Sequence, residues 1–272
     1  MADTAKKVLF VNSEMSPFLP DSRIAGICRN LPQGIQERKK EIRSFMPKYG
    51  CINERKNQLH EVIRLSGMNI IISDVDRPLV IKVASISAAR LQVYFLDNDD
   101  YFRRKSTDRD AEGAFFADND ERAIFFARGI LETVKKLRWA PDIIHCHGWI
   151  SQLVPLYLKK IYRDDPIFSN SKVVLSLYGD ADGERFSPDF AGKVILPGIT
   201  AGDIPFLAEP DGINLAKTAI SYSDAVIFAA GGIAPSLAEY CATLGLPALP
   251  YREESFADGG YIAEYDRFYD QL

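Results

Sequence analysis

The stretch Pro141–Leu158, PDIIHCHGWISQLVPLYL, decides how this chain is read. Its first part, DIIHC, is a short apolar run rich in β-branched residues, the pattern of a strand buried on both faces. ISQLVPLYLKKIY follows with helical spacing, and Gly148 marks the handover between them. A buried strand that turns sharply into a helix is the building unit of a doubly wound α/β sheet. His145, His147 and Trp149 stand at that handover, where such sheets collect ligands outside the carboxyl ends of their strands. The two histidines are expected on opposite faces of the strand, which would exclude a metal pair.

Working outward, KKVLFVNSE (Lys6–Glu14) reads as another buried parallel strand. RIAGICRNLPQGIQERKK (Arg23–Lys40) is helical, with Ile24, Ile27, Leu31 and Ile35 on one face and a kink or break expected at Pro32. EIRSFMPKYG returns as a strand and completes an opening βαβ unit. HEVIRL, MNIIISDV, PLVIKVAS and LQVYFLDN are then separated only by turns such as SG and DRP, which predicts an antiparallel strand excursion. Asp97 to Glu112 is expected to be an exposed loop. DNDERAIFFARGILETVKKL carries a helical stripe behind Asp and Asn capping candidates. KVVLSLYG is a strand, and Ile213–Gly245 reads as helix, strand, glycine turn, helix. The AAGG turn lacks the spacing of a phosphate cradle. YIAEYDRFYDQL aligns Ile262, Tyr265, Phe268, Tyr269 and Leu272 on one helical face, so residues 260–272 are expected to form a capping helix in preference to a partner-binding one. Residues 1–272 are therefore expected to be a single α/β domain, and a buried cap would mark it as self-contained.

Composition narrows the function classes. With 272 residues, 47% of them hydrophobic and 26% charged, the chain has ample material for a core. A net charge of -4 gives no basic footprint for nucleic acid, and RRK at Arg103–Lys105 reads as a solvated loop. Cys28, Cys51, Cys146 and Cys241 show no CxxC or zinc spacing, so reduced, partly buried thiols are expected, with no metal. The amino-terminal apolar run is too short for a signal sequence or a membrane span. No nucleic-acid or membrane partner and a cytoplasmic location are the corresponding expectations.

Several segments, in order, resemble the amino-terminal half of the glycogen and starch synthase family. They are KVLFVNSEMSPF with its Ser-Glu-x-x-Pro signature, LPQGIQERKKEIRSFMPKYG, LDNDDYF, FFADNDERAIFFARGIL, PDIIHCHGWISQLVPLYLK and LAKTAISYSDAVIFAAGGIAPSLAEY. The likeness runs from Lys6 to about Tyr240. It implies a Rossmann-like domain of a GT-B glycosyltransferase, the half that receives the growing α-glucan. The second half would hold most nucleotide-sugar contacts, and transfer proceeds with retention and without a bound metal.

The departures from the family pattern bear on activity. Where the family has Lys-Thr-Gly-Gly-Leu, a loop whose lysine reaches donor phosphate and whose glycines admit backbone amides, this chain has Pro20, Asp21, Ser22, Arg23 and Ile24. The cation is lost, an aspartate is added, and Arg23 returns positive charge at a different position. The family's His-x-His-Asp-Trp, whose aspartate points into the sugar site, reads His145, Cys146, His147, Gly148, Trp149 here. TVHN, whose histidine contacts the donor sugar, reads SLYG, with Tyr178 and Gly179 in the last two places. The chain ends at Leu272, near where the linker to the donor half would begin, so the cations that stabilise a departing diphosphate are not expected.

The carboxyl-edge crevice is expected to be lined by Asn12, Glu14, His147, Trp149 and Tyr178, which suits a sugar. No cofactor and no confident catalytic residue are assigned. The leading expectation is a glycogen synthase-like domain, inactive in glucosyl transfer by itself, that binds α-glucan or regulates glycogen metabolism. The alternatives are the acceptor half of a split ADP-glucose-dependent glycogen synthase completed by a separate donor-binding chain, for which a broad apolar cleft rim is expected, and a structural or interaction protein such as a homodimer.

Overall fold

The computed structural model describes residues 5–272. Among the described residues the strands are β1 (Lys7–Asn12), β2 (Glu41–Pro47), β3 (His60–Glu61), β4 (Met68–Ile72), β5 (Val75–Ile86), β6 (Leu91–Asp97), β7 (Ile143–His147), β8 (Lys172–Leu177), β9 (Ala225–Phe228) and β10 (Ala248–Leu249). The helices are α1 (Arg23–Glu37), α2 (Asp99–Phe102), α3 (Asn119–Leu137), α4 (Val154–Lys160), α5 (Phe190–Val194), α6 (Gly212–Ser221), α7 (Pro235–Thr243), α8 (Glu253–Ala257) and α9 (Tyr261–Asp270).

The sheet order is β10-β9-β8-β7-β1-β2-β6-β5-β3, with β4 paired to β5. From β10 to β6 neighbouring strands are parallel, and β5, β3 and β4 add the expected antiparallel excursion. The central parallel strands are buried along almost their whole length: Val8 to Asn12 and Ile143 to His147 have no more than 1% exposure. That is why they read as largely apolar runs without alternation, since helices cover both faces of such a sheet. The chain winds from β1 to β2 on one side and later from β1's other edge through β7 and β8, so the switch point lies between β1 and β7. At such a point the loops leaving adjacent strands diverge and open a crevice.

Several local expectations are corrected. Pro32 sits inside an uninterrupted α1 on its buried face, so packing of Ile27, Cys28, Leu31 and Ile35 outweighs the missing N–H. The Asp76-Arg77-Pro78 segment lies within β5, and the hairpin turns one step earlier, at Ser73 and Asp74, both with positive φ. HEVIRL supplies only the two residues of β3 before the chain turns. Asp97 to Glu112 is not simply an exposed loop: Asn98 caps α2, and Tyr101 and Phe102 are buried. After β7 the chain makes a 3-10 turn at Trp149–Ser151, so the α-helix starts only at Val154. Asp118 holds the cap position of α3 without a side-chain capping bond because its carboxylate pairs with Arg104 at 2.6 Å.

Cys28, Cys146 and Cys241 are buried and free, while Cys51 is exposed. The tail helix α9 lies against α1 and the sheet, with Tyr261, Tyr265, Phe268 and Tyr269 buried and Ile262 and Leu272 partly buried. Lys40 fastens its last turn through Asp266 at 2.6 Å and Asp270 at 3.0 Å. Lys6 donates to the Tyr269 carbonyl at 2.6 Å, a cation on the negative end of the helix. No helix among the described residues is long and apolar enough to cross a membrane.

Candidate ligand site at the carboxyl edge

Ser13 and Glu14 leave β1, Gly148 and Trp149 leave β7, and Asp180 follows β8, so the switch point brings them together. Ser13, Glu14, Trp149 and Asp180, with Tyr49, Thr107 and Asp108, line a cavity of about 60 Å³. Its far wall is held by Arg122, which is wholly buried on α3. That guanidinium donates to Asn119 Oδ1 and to the Thr107 carbonyl, both at 2.5 Å, and lies over the rings of Phe102 and Phe116.

Of the residues expected to line the crevice, the structure brings Glu14 and Trp149 to the cavity. Asn12, His147 and Tyr178 lie beneath it instead, buried in the sheet. Tyr178 turns its hydroxyl inward onto His147 Nδ1 at 2.8 Å. Trp149 is 5% exposed, wedged between Phe115, which it meets edge to face, and a tilted Phe186.

The histidines do not take opposite faces. Residues two apart in a strand project to the same side, and the rings of His145 and His147 lie 3.8 Å apart between centroids. The expected exclusion of a metal pair therefore had the wrong geometric reason. His145 instead uses both nitrogens internally, contacting Tyr269 Oη at 2.6 Å and Ser176 Oγ at 2.7 Å. Burial, with His147 beside it, holds His145 well below the usual imidazole range, and burial alone lowers His147 to about 3.

Gly148 has φ 80° and ψ 160°, a conformation open essentially to glycine alone. A Cβ there would collide with the Ser13 hydroxyl and lie 3.2 Å from Asp180 Oδ2. Asp180 in turn accepts the Trp149 backbone N–H at 2.7 Å. Burial raises the Asp180 carboxyl to about 6 against the lowering effect of that bond, and Glu14 and Asp182 push it the same way. Burial also raises Glu14, although Ser22 Oγ donates to it at 2.5 Å. Ser13 Oγ, both side-chain atoms of Asn12 and His147 Nε2 are buried with no hydrogen-bond partner.

The remaining altered positions lie at the start of α1. Pro20 and Asp21 are exposed, and Asp21 accepts from Ser16 Oγ at 2.7 Å. Ser22 caps the helix by accepting from the Ala25 N–H at 2.9 Å. Arg23 donates to Tyr251 Oη at 2.7 Å, approaches Glu253 at 3.4 Å and lies over the Tyr251 and Phe256 rings. A groove of about 740 Å³ begins there and runs between α1 and the 253–262 segment. Gly179 has φ 72° and faces Asp182.

Sequence reasoning missed Ser13, Tyr49, Thr107, Asp108 and Asp180. Ser13 and Asp180 were accessible in principle, because each follows a strand's carboxyl end closely. Thr107 and Asp108 come from a long connection whose path no local pattern reports.

Residues 7–234 match the family described as starch synthase catalytic domain. The glycogen synthase of Chlorobium luteolum is 38% identical over 80% of this chain and 44% of its own length. That of Chlorobaculum parvum is 37% identical over 83% of this chain and 46% of its own. The chain thus spans about half the length of the curated relatives it matches. The fold resembles the catalytic domain of starch synthase IV from Arabidopsis thaliana bound to ADP and acarbose, with a TM-score of 0.67 over 82% of this chain and 45% of that one, at 17% identity. The chain belongs to the starch synthase catalytic domain family, as a glycogen synthase-like glycosyltransferase domain with the GT-B fold of that family's amino-terminal half.

Proposed function

We propose that this domain binds α-glucan, as a carbohydrate-binding or regulatory protein of glycogen metabolism, and does not transfer glucose by itself. The observation that carries the reading is the state of the α1 amino-terminus. Resemblance to the family puts a donor-phosphate loop there, whose lysine and glycines this chain replaces with Pro20, Asp21, Ser22 and Arg23. Ser22 spends its hydroxyl on the helix cap and Glu14, and Arg23 is bound to Tyr251 and Glu253. Stabilising a departing diphosphate requires positioned cations and free N–H donors. Here the guanidinium is engaged by Tyr251 and Glu253, and the segment after β10 leans on the helix start.

The carboxyl-edge cavity, by contrast, retains convergent hydroxyl and carboxyl groups beside aromatic rings, a lining suited to a sugar. Against a split enzyme stands the distribution of exposed apolar side chains. Ile63, Ile71, Val75, Ile195 and Leu244, the large exposed ones among the described residues, do not line this cavity. Isothermal titration with maltoheptaose and, separately, with ADP-glucose tests the reading. Saturable heat with the oligosaccharide alone is expected, and clear binding of ADP-glucose would overturn the claim that the donor site is closed.

A further inference from the structure

Gly148 is the place where this chain looks emptied of a functional carboxylate, yet the structure does not leave that place empty. The carboxylate of Asp180, carried on the loop after the neighbouring strand β8, lies 3.2 Å from where a side chain on residue 148 would begin. The Trp149 N–H fixes it there at 2.7 Å. It lines the cavity together with Glu14 and Ser13.

Ser13 supplies the independent sign of a ligand. Ser13 is one of the cavity's lining residues, it is 4% exposed, and its buried hydroxyl oxygen, packed against Gly148, has no partner. A buried hydroxyl left unpaired is costly, and native structures ordinarily match such a group with a partner, so its lack of one beside the cavity marks a place where a further group is accommodated.

We propose that Asp180 is the ligand-contacting carboxylate of this cavity, standing beside Gly148 and gripping, with Glu14 and Ser13, a hydroxyl-bearing edge of an uncharged carbohydrate. The proposal rests on the glucan-binding reading above and names the residues that would carry it. The chemical class follows from the lining. Glu14, Asp108 and Asp180 line the cavity and no lysine or arginine does, which disfavours an anion. No group of three or more metal-ligating side chains among the described residues could hold a metal ion. What remains is a neutral group that both donates to carboxylate oxygens and accepts from, or donates to, a serine hydroxyl, as sugar hydroxyls do. About 60 Å³ admits a hydroxymethyl group or a pair of ring hydroxyls, a water's share of liquid volume being about 30 Å³, so a sugar ring enters by one edge.

The test is titration of wild type, Asp180→Asn and Ser13→Ala with maltoheptaose and with calcium chloride, alongside thermal melts. Asp180→Asn keeps an oxygen for the Trp149 N–H. Ser13→Ala removes a hydroxyl that makes no internal bond, so folding does not depend on it. Both variants are expected to melt as cooperatively as wild type. Asp180→Asn should weaken oligosaccharide binding at least about tenfold, the loss typical of a hydrogen bond to a charged group.

Binding by wild type with an unchanged Kd in a folded Asp180→Asn overturns this proposal and leaves the glucan-binding reading standing. No binding by wild type overturns both. If Asp180→Asn does not fold, Ser13→Ala decides: weakened binding supports the proposal and an unchanged Kd overturns it. Saturable calcium binding that Asp180→Asn abolishes would make this a cation site and overturn it as well.

Discussion

Restoring the family's aspartate at position 148 should damage this protein. The Gly148→Asp side chain would meet two obstacles. The backbone at φ 80° and ψ 160° is strained for any residue with a Cβ, at about 1–3 kcal/mol. The Cβ itself would displace the Ser13 hydroxyl, and forced overpacking in a filled site costs about 1–3 kcal/mol more. A second carboxylate would also stand beside partly buried Asp180, whose acidity is already weakened by desolvation. Together these predict a loss of about 2–6 kcal/mol of stability, a large share of the 5–15 kcal/mol typical of a domain.

Urea unfolding followed by far-UV circular dichroism reads the loss as a shift in midpoint at constant slope. Gly148→Ala separates the steric part from the electrostatic part. Repeating Gly148→Asp in an Asp180→Ala background should recover about 0.5–3 kcal/mol as coupling between neighbouring sites. A Gly148→Asp variant within about 0.5 kcal/mol of wild type would refute the reasoning, since surface substitutions free of special geometry stay within that range. A normal loss with no coupling to Asp180 would refute the claim that the aspartate occupies this place.

Acid should act through the buried groups in opposite directions. His147, held at about 3 against about 6.5 when unfolded, contributes stability that is present above pH 6.5 and lost as pH falls, about 2 kcal/mol by pH 5. His145 shifts the same way. Asp180, raised to about 6, works in reverse: the native state holds its proton first, which returns about 1.4 kcal/mol between pH 7 and pH 5. Asp180→Asn should therefore lose about 1.4 kcal/mol more than wild type over that interval, and parallel pH profiles of the two urea midpoints would contradict the assignment. Tyr269→Phe removes the hydroxyl bound to His145 and should cost about 1–3 kcal/mol by the same urea assay, because a buried imidazole nitrogen loses its partner. No change there would mean that α9 is held by its rings and ion pairs alone.

The architecture was legible because burial on both faces writes itself into composition. VLFVN, IIHCH and VVLSL are largely apolar and do not alternate because helices cover both sides of those strands, and α3 carries its stripe because it packs one face inward. Chain order and strand signals were enough to predict a doubly wound domain with an antiparallel excursion, and the ordered motifs were enough to identify the family. Local patterns failed where long-range packing overrode them: Pro32 is carried inside α1, and the loop after β6 buries Tyr101 and Phe102. The side-by-side histidines, in contrast, were readable from strand periodicity, since residues two apart share a face, and the expectation of opposite faces misapplied that period.

The candidate site was only half legible, for a physical reason. Sequence reports which residue type stands at each position, so residue 148 reads as a glycine and residues 20–23 as Pro-Asp-Ser-Arg. It does not report what a neighbouring chain segment brings into the space so vacated. That Asp180 from the next strand fills the place beside Gly148, that Arg23 is bound by Tyr251 and Glu253 from 228 and 230 residues away, and that Tyr178 turns inward onto His147 are consequences of the tertiary structure. They are set by contacts between segments far apart in the chain, whose pairing no local spacing encodes.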